Sequence, residues 1–220
     1  MQKHYAGELN HLKETLLRMG GLAEKMTHLA VHGLVGRTRE PLLEVTELEN
    51  QVNQLHIDID EIALELIARR QPTATDLRFI TAAMKINTDL ERIGDQAINI
   101  TEQAEILLEV PPVKPLIDIP RMAEIAEEML KAALDAFVRE DDDLAYRTIL
   151  RDDQVDHLKD QIFRELLTFM MGEVSTIPRA MQLILVSRNL ERVADHATNI
   201  CEDVIFMVKG KDVRHQGLLR

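Results

Sequence analysis

The sequence predicts an all-α protein, built as two tandem three-helix bundles related by internal duplication. Three observations predict it. Apolar residues make up 45% of the 220-residue chain but aromatics only 3%, so a core has to be assembled from Leu, Ile, Val, Ala and Met, as in helices packed on helices. Apolar positions recur at alternating spacings of three and four, the period of an amphipathic helix. Residues 90–102 and 190–202, LERIGDQAINITE and LERVADHATNICE, agree at 8 of 13 positions, polar ones included.

Prolines and glycines divide the chain into six predicted helices, at 8–36, 40–70, 75–109, 119–139, 142–171 and 176–208. The first contains Gly20-Gly21, a pair expected to loosen or bend it. After a turn near 36–41, the second carries Leu48, Val52, Leu55, Ile59, Ile62 and Leu66 on one stripe. Pro72 in RRQPTATDLR stops that helix, and Thr75 or Asp76 is placed to cap the third. Ala83, Ile86, Leu90, Ile93, Ala97, Ile100, Ala104 and Leu107 then hold a 3-4 seam for three heptads. The segment EVPPVKPLIDIP at 109–120 has four prolines and separates the halves: a first bundle at 1–110, a proline-rich linker at 111–117 and a second bundle at 118–210. Beyond it the fourth helix ends at the acidic REDDD of 139–143. The fifth is less regular, because Arg151 and Glu165 fall on its apolar stripe. The sixth repeats the third with Leu183, Val186, Leu190, Val193, Ala197, Ile200, Val204 and Met207.

The halves match beyond that phrase. At an offset of 103, Met19, Ala23, Glu24, Met26 and Val35 meet Met122, Ala126, Glu127, Met129 and Val138, while Gln51, Val52 and Leu55 meet Gln154, Val155 and Leu158. A three-residue shortening before the last helix changes the offset to 100. The repeating unit is therefore a helix trio.

Charge narrows the function. Lys and Arg number 26 against 38 Asp and Glu, a formal net charge of -12, so the bulk attraction for phosphate that drives nucleic-acid binding is missing. Cations or basic protein surfaces are the expected partners. The one cysteine, Cys201, can form no internal disulfide and reads as a part-buried thiol without a catalytic role in a reducing compartment. MQKHYAGELNHLKETLL lacks the apolar stretch of a signal peptide, and no run approaches the roughly 20 apolar residues of a membrane span. A soluble, cytoplasmic protein without membrane insertion is expected.

The repeated polar residues need a reason of their own. At about 100° per residue, Glu91, Asp95, Asn99 and Glu102 project away from the third helix's seam, as do Glu191, Asp195, Asn199 and Glu202 from the sixth's. Carboxylates four apart on a helix repel by a few tenths of a kcal/mol, so something should offset them. The preceding helix of each half supplies Glu49 and Asn53, or Asp152 and Asp156, at the facing place. Four clustered carboxylates have raised pKa values unless a cation sits among them, and all-oxygen donors suit Mg, Ca, Mn or Fe. Beside this stands the plain alternative, a solvated acidic face. His157 and His196 lie about 100° round their helices and read as surface rather than ligands, and Arg92 and Arg192 read as salt-bridge partners of acids such as Asp95 and Asp195.

The phrases DLERIGDQAINI and NLERVADHATNI, the turn QPTATDLR and the doubled helix trio resemble the PhoU family of bacterial phosphate-signalling regulators, over about 8–208. The resemblance implies two three-helix bundles with E/D-x-x-x-D motifs that bind single metal ions or multinuclear clusters of Fe, Mn, Mg, Zn or Ca. By position these motifs are Glu49/Asn53, Glu91/Asp95, Asp152/Asp156 and Glu191/Asp195, and Asn53 leaves the first site one charge short. It further implies a non-enzymatic negative regulator of phosphate-starvation genes. Its partners would be a phosphate-sensing membrane histidine kinase, the ATPase subunit of the phosphate ABC transporter and a second copy of itself as a homodimer. Two other functions compete: a metal-free helical module, and a ferritin-like metal-dependent oxidase. The oxidase requires inward-facing Glu-x-x-His motifs, and Glu8 to His11 is the one instance here.

Overall fold

The computed structural model describes residues 2–211, with side chains from residue 5. Helix α1 spans Gln2–Gly36, α2 Glu40–Arg70 and α3 Ala74–Leu108; α4 spans Asp118–Arg139, α5 Asp142–Ile149, α6 Asp152–Gly172 and α7 Ile177–Lys209, with a 3-10 turn at Val174–Thr176. No strand occurs among the described residues. None of their helices is long and apolar enough to cross a membrane.

Helices α1, α2 and α3 pack on one another, α4, α6 and α7 do likewise, and the halves join along α3 against α7 and α1 against α4. Every seam position predicted for α3 and α7 is buried. So is the α2 stripe, except that Ile62 is half-buried. Each such Leu, Ile or Val contributes about 1.5–3 kcal/mol by leaving water, which is why the 3-4 spacing decides the packing. Both halves feed one contiguous apolar core.

Cross-contacts define how the halves meet. Arg78 Nε donates to the Met207 carbonyl at 3.3 Å, Lys85 Nζ lies 3.2 Å from Asp203 Oδ1, and Asp89 Oδ1 meets His196 Nδ1 at 2.8 Å and Asn199 Nδ2 at 3.1 Å. Residue numbers fall along α7 as they rise along α3, so the two are antiparallel. Helices α1 and α4 are antiparallel too: Lys13 Nζ donates to the Val138 carbonyl at 2.5 Å, and His28 Nδ1 lies 3.4 Å from Glu127 Oε2.

Three local expectations change. The α3 cap is Thr73, one residue after Pro72, and Asp76 completes a capping box: the Asp76 N–H donates to Thr73 Oγ1 and the Thr73 N–H to Asp76 Oδ2, each at 3.3 Å. The fifth predicted helix is two helices. Asp141 caps α5 by accepting from the Leu144 N–H at 2.8 Å, and the Arg151 and Gln154 amides bond back three residues, at 3.0 Å, through the break. A continuous helix would have carried Arg151 on its buried stripe. The break instead lets its guanidinium pair with Glu128 on α4, while Ala145, Thr148 and Ile149 of α5 are buried. Finally, α1 runs unbroken through Gly20-Gly21, and Gly20 serves close approach: a Cβ there would meet Leu134 Cδ1 of α4 at 2.5 Å.

The proline-rich segment is tied down from both sides. Arg37 donates to the carbonyls of Leu108 and Val110 at 3.0 and 2.7 Å, Arg179 donates to that of Pro111 at 2.9 Å, and Lys114 pairs with Glu165. Glu165 thus faces a cation where a continuous apolar stripe had been interrupted in the sequence.

Candidate metal centre

Helices α6 and α7 bring the second set of acids together. Asp152 opens α6, and Asp156 and Lys159 follow at four and seven residues, on one face of the helix. Glu191 and Asp195 stand on the adjacent face of α7. Asp152 and Glu191 are half-buried, Asp156 and Asp195 more exposed. Burial, followed by the charges of Asp195, Asp156, Asp153 and Glu191, pushes the Asp152 carboxyl up to about 6. The Asp195 carboxyl is raised as well, by lost hydration first and then by Glu191 and Asp156, with His196 and Lys159 opposing. Although its surface is exposed, Asp195 is flanked closely enough by protein to lose part of its hydration. All four acids therefore lie within each other's fields, off the apolar seam.

One cation already enters this patch. Lys159 Nζ donates to Asp156 Oδ1 at 2.8 Å and to Glu191 Oε1 at 2.9 Å, bridging α6 to α7. Lys159 lies outside the repeated letters, because the first copy has His56 at its register. Its signal was present, since a residue three after Asp156 shares the motif's helix face.

The first copy is arranged differently. Glu91 and Asp95 are half-buried on α3 and are both held by Arg92, whose Nε lies 3.6 Å from Glu91 and Nη1 3.3 Å from Asp95, the salt-bridge role expected for it. Glu49 is half-buried on α2 and Asn53 exposed, and no hydrogen bond joins either to the α3 acids among the described residues. At the register of Lys159 the first copy has His56, whose Nε2 lies 3.9 Å from Asp60 Oδ2.

Some polar members point elsewhere. Asn199 and His196 both turn to Asp89 on α3 across the contact between the halves, Asn199 from an exposed position and His196 from a half-buried one. A single helical wheel could not show this, because α7 packs against α3, α4, α5 and α6 and has little free circumference. Asp203, 2% exposed and paired with Lys85, was missed for the same reason. His157 is exposed, its Nδ1 2.5 Å from the Asp153 carbonyl of its own helix. Cys201 is fully buried, and that burial pushes its thiol up to about 12, leaving it an inert core residue. Glu8 accepts twice from Arg70, at 2.9 and 2.6 Å, which commits the carboxylate of the Glu-x-x-His pair to an ion pair.

Among the described residues, no three His, Cys, Asp or Glu side chains converge on one point at coordination distance. The donor chemistry of the α6–α7 patch nevertheless fits a hard cation, since it consists of carboxylate oxygens whose mutual repulsion is only partly relieved by Lys159. Glu49, Glu91 and Asp95 fit less well, with Asn53 in place of an acid and Arg92 across the other two.

Comparison with known proteins agrees with the duplicated architecture. The PhoU domain family matches residues 16–104 and 119–204, one copy in each half. The chain is 39% identical to the phosphate-specific transport system accessory protein PhoU homolog of Pseudomonas aeruginosa, covering 100% of this chain and 91% of that protein. It is 40% identical to the Caulobacter vibrioides homolog, covering 97% and 94%. The crystal structure of PhoU from Pseudomonas aeruginosa superposes with a TM-score of 0.91 at 38% identity, over 94% of this chain and all of that one. The phosphate transport system regulatory protein PhoU from Streptococcus pneumoniae gives 0.87 at 26% identity, over 95% and 99%. A duplicated helix trio, the repeated LER-x-x-D helices and full-length likeness in sequence and structure together establish that this chain belongs to the PhoU family.

Proposed function

We propose that the chain is a cytoplasmic, non-enzymatic adaptor of phosphate uptake and signalling, a negative regulator of the phosphate-starvation response whose acidic motifs hold metal ions. The observation that carries the metal reading is the clustering of Asp152, Asp156, Glu191 and Asp195 between α6 and α7, with the Asp152 carboxyl raised first by burial and then by its acidic neighbours. A divalent or trivalent ion of Fe, Mn, Mg, Zn or Ca would supply the positive charge this patch lacks. The chain's own residues do the rest. Asp152 and Asp156 present oxygens from α6, Glu191 and Asp195 from α7, and the buried seams of both helices fix the distance between them. Glu49, Glu91 and Asp95 form the weaker counterpart.

The adaptor role rests on family membership and on names its relatives carry, accessory protein of a phosphate-specific transport system among them. Exposed apolar side chains are consistent with docking: Phe163, Leu167 and Met171 on α6, Val174 in the 3-10 turn and Met181 on α7 all remain open to solvent. The partners we assign are a phosphate-sensing membrane histidine kinase and the ATPase subunit of the phosphate ABC transporter, with the chain acting as a homodimer. Co-purification of both partners with the tagged chain at high and low phosphate tests the role, and retention of neither in either condition would overturn it. Lys159 favours a second reading, a metal-free helical module, because the patch already contains an ammonium. Metal analysis of purified protein with and without chelator separates the two.

A further inference from the structure

We propose that Lys159 is a tethered counterion of the α6–α7 acidic patch, which an incoming metal ion must displace, so that this one side chain sets how tightly the patch binds cations. The inference rests on the metal reading above and adds a residue to it. Lys159 reaches one acid from each helix, Asp156 on α6 and Glu191 on α7, at 2.8 and 2.9 Å. These are two of the four carboxylates whose oxygens a metal would need. An oxygen that accepts a charge-assisted hydrogen bond from an ammonium presents that proton toward an approaching cation, and two positive charges cannot share the space. Entry of a metal therefore requires the ammonium to swing into solvent. It can do so: its side chain is 29% exposed and its four-carbon stem is flexible.

The lysine has an opposite effect on the empty patch. Four carboxylates between two packed helices push those helices apart, and the bridge draws them together across the α6–α7 contact. Loss of its charge should leave the metal-free protein weaker and the metal-bound protein tighter. A residue with a merely structural role would produce only the first effect. In the first copy the equivalent position is His56, which lies near Asp60 of its own helix and supplies no ammonium between α2 and α3. The two copies thus differ in both acid count and competing cation.

The test uses the full chain, stripped with chelator, as native protein, Lys159→Gln and Lys159→Arg. Calorimetric titration with Mn(II) measures affinity, and thermal melting without metal measures the bridge. We expect Lys159→Gln to bind Mn(II) roughly tenfold tighter, because the lysine's two charge-assisted hydrogen bonds, weakened by solvent screening of a part-exposed ammonium, no longer have to be broken on entry. It should also melt about 3 °C lower without metal. Lys159→Arg, which keeps the charge, should bind more like the native chain. If the native chain binds Mn(II) and Lys159→Gln binds it no more tightly, the competition is overturned and the metal reading stands. If no variant binds Mn(II), Mg(II) or Fe(II), both fall together.

Discussion

Replacing Asp152 by Asn removes a charge that burial and the neighbouring α6–α7 acids both disfavour. In the folded chain its carboxyl is pushed from 3.8 up to about 6, by burial and by Asp195, Asp156, Asp153 and Glu191, so the folded state binds a proton more readily than the unfolded one. This group therefore favours folding when protonated, at pH below 3.8, and that advantage is lost as pH rises through about 6. One unit of pKa corresponds to about 1.4 kcal/mol, so the full shift sets a ceiling of about 3 kcal/mol against folding at neutral pH. Asp152 is only half-buried, and water screens much of this, leaving about 1 kcal/mol. The amide fills the same space without charge. In chelator at pH 7.5, Asp152→Asn should melt roughly 2–4 °C above the native chain, and the gap should close toward pH 4. Thermal and urea unfolding followed by circular dichroism at four pH values reads both quantities. An Asn variant no more stable at pH 7.5, or a gap that ignores pH, would refute the claim that the ionised Asp152 is disfavoured by its burial and its acidic neighbours.

Three further outcomes are expected. Glu191→Ala with Asp195→Ala should lose bound metal by elemental analysis while keeping nearly native helicity, because both residues lie off the seam; a collapsed dichroism signal would make them structural. Gly33→Ala should destabilise by about 1–3 kcal/mol in urea, since its Cβ would meet Leu42 Cδ2 at 2.5 Å, whereas Gly21→Ala, with nothing within 4 Å, should stabilise by about 0.5–1 kcal/mol. Asp89→Ala should cost about 1–2 kcal/mol, because His196 and Asn199 lose their shared acceptor between the halves, and an unchanged urea midpoint would show that water replaces it.

What could be read along the chain was whatever depends on short separations. Helix existence and the apolar seams follow from 3.6-residue periodicity, and the seam positions between Ala83 and Leu107 and between Leu183 and Met207 are buried as that periodicity required. Duplication was visible because polar as well as apolar letters recur. The Arg151 interruption was also visible, yet its outcome was not. Whether a misplaced charge tilts outward or breaks the helix depends on what waits nearby, here Glu128 on a different helix.

Apart from the break between α5 and α6, the sequence alone thus determined the helices, their inward faces and the acids set off from them, since each is a property of one helix and its repeat. Only the tertiary structure decided which acids share a field, that Lys159 bridges Asp156 to Glu191, and that Asp89 holds His196 and Asn199. The hydrogen bonds that cross between helices in these pairings join positions 32 to 110 residues apart. A helix's own period fixes the direction of each side chain, but the neighbour it meets is chosen by how four or more helices pack around a common core.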